Sequence, residues 1–207
     1  MTSEATEREP RRSPLALVVL ALLAESPMHP YRMQRLIAER GKDRVVNIAQ
    51  RNSIHQTLAR LRREGLVEEM EEQYHQRRPR RIVYSITGTG RELLQRWMAE
   101  MLARPAREFP EFPAALSLLG LHSPEDVVAR LGERANALER VVAELDAELE
   151  RAQVPRVLLI EEEYRRAMAV AESDWVRSLI AEIESGTLWW DTVELLAWSR
   201  STPDSGG

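Results

Sequence analysis

A group of polar and basic side chains between residues 51 and 63 is the clearest chemical signal in the 207-residue sequence. Asparagine and glutamine can each form two hydrogen bonds with adenine, and arginine can do the same with guanine or can hold a phosphate. At 3.6 residues per turn, the helix face opposite Ile54, Leu58 and Leu61 carries Asn52, Gln56, Arg60 and Arg63, with Arg51 just before it and His55 on its flank. The pattern predicts contact with double-stranded DNA through Arg51, Asn52, His55, Gln56 and Arg60.

A second basic group lies between two segments that are rich in strand-forming residues. Residues 66–74 and 81–87 predict a β-hairpin, and the six residues between them include three arginines. A basic hairpin tip can bind the DNA backbone or the minor groove. The tip adds Arg77, Arg78 and Arg80 to the predicted DNA contacts.

Both groups also have a simpler interpretation, in which they are a solvated helix face and a solvated arginine loop. Enzyme functions have less support from the sequence. It contains no cysteine, its four histidines are not spaced as metal ligands, and no phosphate-binding loop or nucleophile motif occurs. We therefore expect no catalytic residues, no metal site and no cofactor.

Three predicted helices position the basic groups. Residues 15–23 are apolar on almost every face, which indicates a buried helix, and Tyr31 to Arg40 form a second helix. A brief strand is predicted at 45–48, and the third helix begins at Asn52 or Ser53. Three helices followed by a hairpin predict a winged helix-turn-helix.

Residues 20–31, 58–67 and 78–90 resemble the PadR family of transcriptional regulators, and the length and helix pattern of the remainder resemble its longer-tailed branch. The resemblance implies a winged-helix DNA-binding domain, a helical dimerisation domain and repression that a small molecule relieves. It adds Tyr31 and Ser53 to the DNA contacts and supports Arg80. The sequence departs from the family pattern at Pro30, where the family has glycine, and at His55, where it has tyrosine.

The C-terminal half is predicted to be helical. A helix from Thr87 to Leu102 leaves the winged domain, and two long helices are expected at about 123–153 and 157–185. The predicted fold is mainly α, with a winged helix-turn-helix domain followed by a coiled-coil-like dimerisation domain. The expected ranges are a DNA-binding domain at 14–103, a linker at 104–122 and a dimerisation domain at 123–200. The linker contains a short helix near 114–121.

Each long C-terminal helix carries an apolar stripe. The first stripe has heptad spacing, which is typical of paired helices. It predicts a dimer interface at Leu131, Leu138, Val142, Leu145 and Leu149. The second stripe comprises Ile160, Tyr164, Met168, Ala171, Trp175, Leu179 and Ile183. For each stripe, packing within one chain remains the alternative to a dimer interface.

Trp97 is a candidate effector-binding residue, because it lies on the helix that joins the two predicted domains. A planar hydrophobic ligand could stack on the indole ring and change the spacing of the two recognition helices. The alternative is ordinary core packing against Leu93, Leu94 and Met101.

Charge divides unequally along the chain, whose net charge is −4. Residues 1–97 hold 18 basic and 12 acidic side chains, whereas residues 98–207 hold 11 and 21. The longest apolar run, at 15–24, is about half the length of a membrane span. We expect a cytoplasmic, dimeric repressor that binds double-stranded DNA, has a possible small-molecule effector and makes no membrane contact. The alternative is a helical adaptor whose winged domain binds protein.

Overall fold

A computed structural model describes residues 10, 12–48, 53–71 and 82–201 of the chain. The chain divides after Arg107 into two compact units. The described residues are mostly helical, with one two-stranded sheet, as the sequence predicts. In the first unit, the elements are α1 (Pro14–Glu25), α2 (Pro30–Glu39), α3 (Ser53–Arg63), β1 (Val67–Glu71), β2 (Ile82–Ile86) and α4 (Gly88–Ala103).

Helix α1 forms the centre of the first unit, and α3 and α4 pack against it. Ser13 caps the helix by accepting a hydrogen bond from the backbone N–H of Ala16 at 3.2 Å, and Pro14 occupies the first turn. Proline fits there because the first turn needs no N–H donor. Five α1 side chains are buried, as a helix that is apolar on most faces requires: Ala16, Val19, Leu20, Leu22 and Leu23.

The two strands are antiparallel, and Val67 lies opposite Ile86. The segment before α2 joins this sheet. Met28 donates to the carbonyl of Tyr84 at 3.1 Å and accepts from its N–H at 3.0 Å. The hairpin is therefore attached to the loop between α1 and α2.

The predicted strand at 45–48 is wrong. A 3-10 turn at Lys42–Arg44 precedes these residues, and residues 45–48 themselves are irregular and have no strand pairing. Val46 is nevertheless buried in the core of the first unit. An apolar residue can therefore reach the core from an irregular segment, so the burial of Val46 does not require a strand.

All regular elements in the described part of the second unit are helices. Its elements are α5 (Glu111–Leu116), α6 (Pro124–Arg151), α7 (Ile160–Glu184) and α8 (Thr192–Ser201), with 3-10 turns at Leu119–Leu121 and Arg156–Leu158. Ser123 caps α6 through the N–H of Asp126, as predicted. Helix α5 begins three residues before the predicted short helix, because Pro110 and Glu111 provide its start.

Helices α6 and α7 form an antiparallel hairpin. Arg134 pairs with Glu172, and further along α6 Asp146 pairs with Arg166, which lies earlier on α7. The hairpin core contains buried residues from both helices and from the segment before α8: Val127, Leu131, Ala135, Val176, Ile183 and Trp190.

This hairpin corrects part of the predicted dimer interface. Leu131 and Leu145 are only 5% and 2% exposed within a single chain, so they offer little surface to a partner. Leu138, Val142 and Leu149 are half-buried. The heptad spacing on α6 therefore reflects helix pairing inside the chain at Leu131 and Leu145.

Candidate nucleic-acid interface

Helix α3 presents the predicted polar face. Ile54, Leu58 and Leu61 are buried, which fixes the rotation of the helix against the first unit. Gln56 and Arg63 are exposed on the opposite side, about 20° apart around the helix at 100° per residue, and Ala59 lies between them along the helix axis. A small residue between two polar ones lets a helix approach the floor of a groove closely.

The first turns of α2 and α3 lie side by side. Tyr31, Ser53 and His55 line one shallow depression between these turns. Unpaired N–H groups and the helix dipole make such termini favourable for a phosphate. The structure thus brings together three of the residues predicted to contact DNA.

The start of α2 explains the unusual Pro30. His29 caps the helix, with its Nδ1 accepting from the N–H of Arg32 at 3.1 Å, and Pro30 follows in the first turn. Proline holds φ near the helical value and lacks only an N–H that the first turn does not use. The substitution therefore suits the helix and leaves Tyr31 71% exposed.

Arg60 has a partner inside the chain. Its side chain is half-buried, and Nη2 lies 3.4 Å from Oγ of Ser13, the residue that caps α1. The guanidinium is thus directed towards α1 at the edge of the polar face. A DNA contact by Arg60 would have to be made in addition to this one or in place of it.

The base of the hairpin is held by a polar network with α3. Arg62 pairs with Glu69 at 2.5 Å, and Oη of Tyr84 donates to the same carboxylate at 3.3 Å. Burial raises the pKa of Tyr84, and the charge of Glu69 raises it further. The tyrosine therefore stays a neutral donor at physiological pH. The predicted contacts Arg51, Asn52, Arg77, Arg78 and Arg80 lie outside the described residues.

The structure corrects the effector role predicted for Trp97. Its side chain is 1% exposed and lies in the core of the first unit with Leu93 and Leu94. A ligand could reach the indole only if this core opened. Trp97 therefore packs in the core, which was the alternative interpretation.

A different aromatic pocket, which the sequence did not indicate, lies in the second unit. It includes Phe112, Arg134 and Trp175. Phe112 falls in the predicted linker, Trp175 falls on the predicted stripe of the second long helix, and Arg134 had no predicted role. The one available signal was the pair of phenylalanines among the prolines of residues 104–113.

Two other kinds of feature are absent from the described part of the chain. No helix there is both long enough and apolar enough to cross a membrane. No three His, Asp or Glu side chains lie close enough together to hold a metal ion in those same ranges.

Comparisons with known proteins agree with this architecture. Residues 19–96 match the transcriptional regulator PadR-like family. The fold is similar to that of Bacillus subtilis PadR crystallised with operator DNA, at 16% identity and a TM-score of 0.65 over 83% of this chain and 99% of that one.

Two further solved structures are similar to the chain. One is B. subtilis PadR in complex with p-coumaric acid, at 16% identity and a TM-score of 0.65 over 82% of this chain and 98% of that one. The other is the PadR-like regulator BC1756 from Bacillus cereus, at 18% identity and a TM-score of 0.56 over 83% and 99%. No curated protein is significantly similar in sequence.

Proposed function

Because residues 19–96 form a domain of the PadR-like family of transcriptional regulators, we propose that the chain is a sequence-specific, dimeric DNA-binding repressor. The observation that carries the proposal is the polar face of α3, which is exposed on a helix of that domain. Such a regulator acts in the compartment that holds the DNA, which for a bacterial cell is the cytoplasm.

The proposed DNA contacts divide by chemistry. Gln56 reads a base edge, since its amide can both donate to and accept from adenine. Tyr31, Ser53 and His55 hold backbone phosphates at the adjoining helix starts, and they set the position of α3 without selecting sequence. Arg51, Asn52, Arg60 and the hairpin arginines Arg77, Arg78 and Arg80 complete the proposed set.

Recovery of bound DNA tests this function directly. The purified protein is mixed with sheared genomic DNA, and the retained fragments are sequenced at two salt concentrations. Specific binding enriches one short motif at both concentrations, whereas phosphate contacts alone give retention that salt abolishes for all fragments. A helical adaptor that binds protein would enrich no motif and retain no DNA at either concentration.

The proposed dimer uses an exposed apolar stripe on α7. Ile160, Tyr164, Met168 and Trp175 are each about half exposed or more, although the opposite side of α7 is buried against α6. Four large apolar side chains on one helix face form a surface that a soluble monomer rarely leaves open. A second copy of this chain would cover it symmetrically.

A small-molecule effector is the last part of the proposal. B. subtilis PadR has been crystallised both with operator DNA and with p-coumaric acid. For this chain we expect a ligand with a planar hydrophobic ring system, bound outside the core that contains Trp97. Such a ligand would weaken DNA binding only to the extent that it binds the DNA-free state of the dimer more tightly than the DNA-bound state.

A further inference from the structure

A pocket of the second unit lies where α5 packs beside the α6–α7 hairpin. Its volume is about 590 Å³, and it is open to solvent. Pockets of this size commonly accept molecules of two or three fused rings. The residues that give the pocket its chemistry are Glu111, Phe112, Leu116, Arg134, Glu172 and Trp175.

Two aromatic rings form one part of the wall. Phe112 and Trp175 meet edge to face, with their centroids 6.2 Å apart and their planes at 82°. This arrangement is favourable in itself. Trp175 is 49% exposed, so a flat ligand can cover part of the indole without any change in the core.

Of the three charged residues in the pocket wall, two form an ion pair with each other. The Arg134 guanidinium lies 3.5 Å above the Phe112 ring and pairs with Glu172. Glu111 is exposed and has no ion-pair partner among the described residues. The wall therefore holds two carboxylates and one arginine, and that arginine is already paired.

The second unit as a whole also carries a net negative charge. Residues 108–207 contain nine arginines, no lysine and 20 acidic residues. An anion in the pocket would face this excess and would have to displace Glu172 from Arg134. A cation meets an unpaired carboxylate and the electron-rich face of an indole, to which cations are attracted.

We infer that this pocket is a binding site for a planar aromatic cation of the quinolinium type. The ligand stacks on Trp175, with its charge near Glu111. Trp175 also belongs to the exposed α7 stripe, so the ligand and a second copy of the chain would compete for this side chain, and an occupied pocket would weaken the association of two copies. This regulatory step rests on the proposed function, whereas binding itself does not.

Calorimetric titration of the full chain with three probes of similar shape tests the binding. The probes are N-methylquinolinium (a cation), quinoline (neutral at pH 7.5) and 2-naphthoate (an anion). We expect one site per chain that binds N-methylquinolinium at least tenfold more tightly than 2-naphthoate, with quinoline between them. Equal affinities for the three probes, or no binding of the cation, would overturn the inference.

Variants locate the site. Trp175→Ala and Glu111→Gln should each weaken cation binding, the first by about tenfold and the second by several-fold. Glu125→Gln, in the first turn of α6 and outside the pocket, is the matched control and should leave it unchanged. Glu111→Gln keeps the shape of an exposed side chain, so its result does not depend on refolding. Binding that both pocket variants leave intact would place the ligand elsewhere and refute the assignment.

The regulatory step is tested with operator DNA. N-methylquinolinium should weaken operator binding by the parent protein more than by Glu111→Gln at the same concentration, which corrects for any binding of the probe to DNA. If calorimetry shows binding and operator affinity does not change, the site stands and the regulatory link is wrong. If the parent protein binds no operator at all, the proposed function fails while the calorimetric result still decides the pocket.

Discussion

At the scale of single residues, the exposed face of α3 combines one small side chain with two polar ones. Ala59 lies between Gln56 and Arg63 and would let the helix axis approach a DNA groove. Arg60, directed towards Ser13, borders the same face. Gln56 is the described residue of this face whose amide can both donate to and accept from adenine, which makes it an informative position to change.

We predict that Gln56→Ala lowers affinity for the operator by about 1 to 3 kcal/mol with little loss on random DNA, because a bidentate base contact discriminates by that amount. Fluorescence anisotropy with both DNAs measures the effect. Gln95→Ala, on the exposed side of α4, is the matched control. Equal losses on operator and random DNA would assign Gln56 to the backbone.

A second residue-scale prediction concerns pH. A hydrogen bond from Arg40 lowers the pKa of Glu25 below its ordinary value of 4.5, and the charge of Arg40 adds to the effect, although burial opposes it. Because the folded-state pKa is the lower one, this stabilisation is fully present above the unfolded-state pKa and is lost as pH falls through the folded value.

Glu25→Gln should therefore lower the free energy of unfolding by less than about 1 kcal/mol at pH 7, since both side chains are about half exposed. The difference should shrink as the pH falls below 4.5 and should disappear once the pH is below the lowered folded-state pKa of Glu25. Urea titrations across this range, together with Arg40→Gln and the double variant, isolate the pair. A difference that grew in acid would contradict the sign.

At the scale of elements, the contact between α4 and the hairpin needs a glycine. A Cβ at Gly90 would lie 2.1 Å from the carbonyl oxygen of Leu66. Thr87 caps α4 by accepting from the N–H of Gly90 at 3.0 Å and donates to the carbonyl of Gly65 at 2.8 Å. The start of α4, the end of α3 and β1 are therefore joined at one place.

We predict that Gly90→Ala lowers the free energy of unfolding by at least about 2 kcal/mol, because the backbone must move to admit the methyl group. Gly88→Ala is the control on the same helix, since a Cβ there meets nothing within 4 Å. It should be neutral or stabilising by up to about 1 kcal/mol. Thermal and urea unfolding of both variants measure the contrast, and equal effects would refute the close contact.

Elements with one buried face were predictable from sequence. The positions Ile54, Leu58 and Leu61 repeat at helical spacing, so α3 and its exposed face followed from them. The stripe predicted on α7 does not stay on one face of the helix. Its members step by about 3.8 residues instead of 3.6, so the stripe turns around the helix from exposed Ile160 to buried Ile183.

The missed features depend on long-range packing. Trp97 could have been core or ligand site until α1 and α4 were placed, and the structure buries it between them. The pocket at Phe112 forms from three segments separated in sequence, so no local pattern indicated it. Sequence therefore predicted faces of single helices, whereas sites made by several elements required the structure.

At the scale of the whole molecule, the two units have opposite charge. Residues 1–107 contain 20 basic and 13 acidic side chains, while residues 108–207 contain nine and 20. A basic DNA-binding unit is attracted to phosphate, and an acidic one is repelled by it. This division favours DNA contact through the first unit over contact through the second.

The final prediction locates the association on α7. Met168 lies in the middle of the exposed stripe, and an arginine there would place a charge at the centre of a symmetric interface, facing its own copy. Met168→Arg should therefore halve the mass measured by light scattering at micromolar concentration. Operator affinity should fall with it, since one recognition helix alone cannot bind two half-sites about 34 Å apart.

Ala143→Arg is the matched control, because Ala143 is exposed on the side of α6 that faces away from the hairpin core. It adds the same charge to a helix surface that the proposed interface does not use, so mass and operator affinity should remain those of the parent. The opposite result, in which Ala143→Arg dissociates the protein and Met168→Arg does not, would move the interface to α6. Circular dichroism of both variants shows whether the hairpin itself remains folded, since an unfolded hairpin would lose helix in addition to mass. An α7 interface therefore predicts a specific result. Met168→Arg alone loses half of the mass, and it keeps its full helix content.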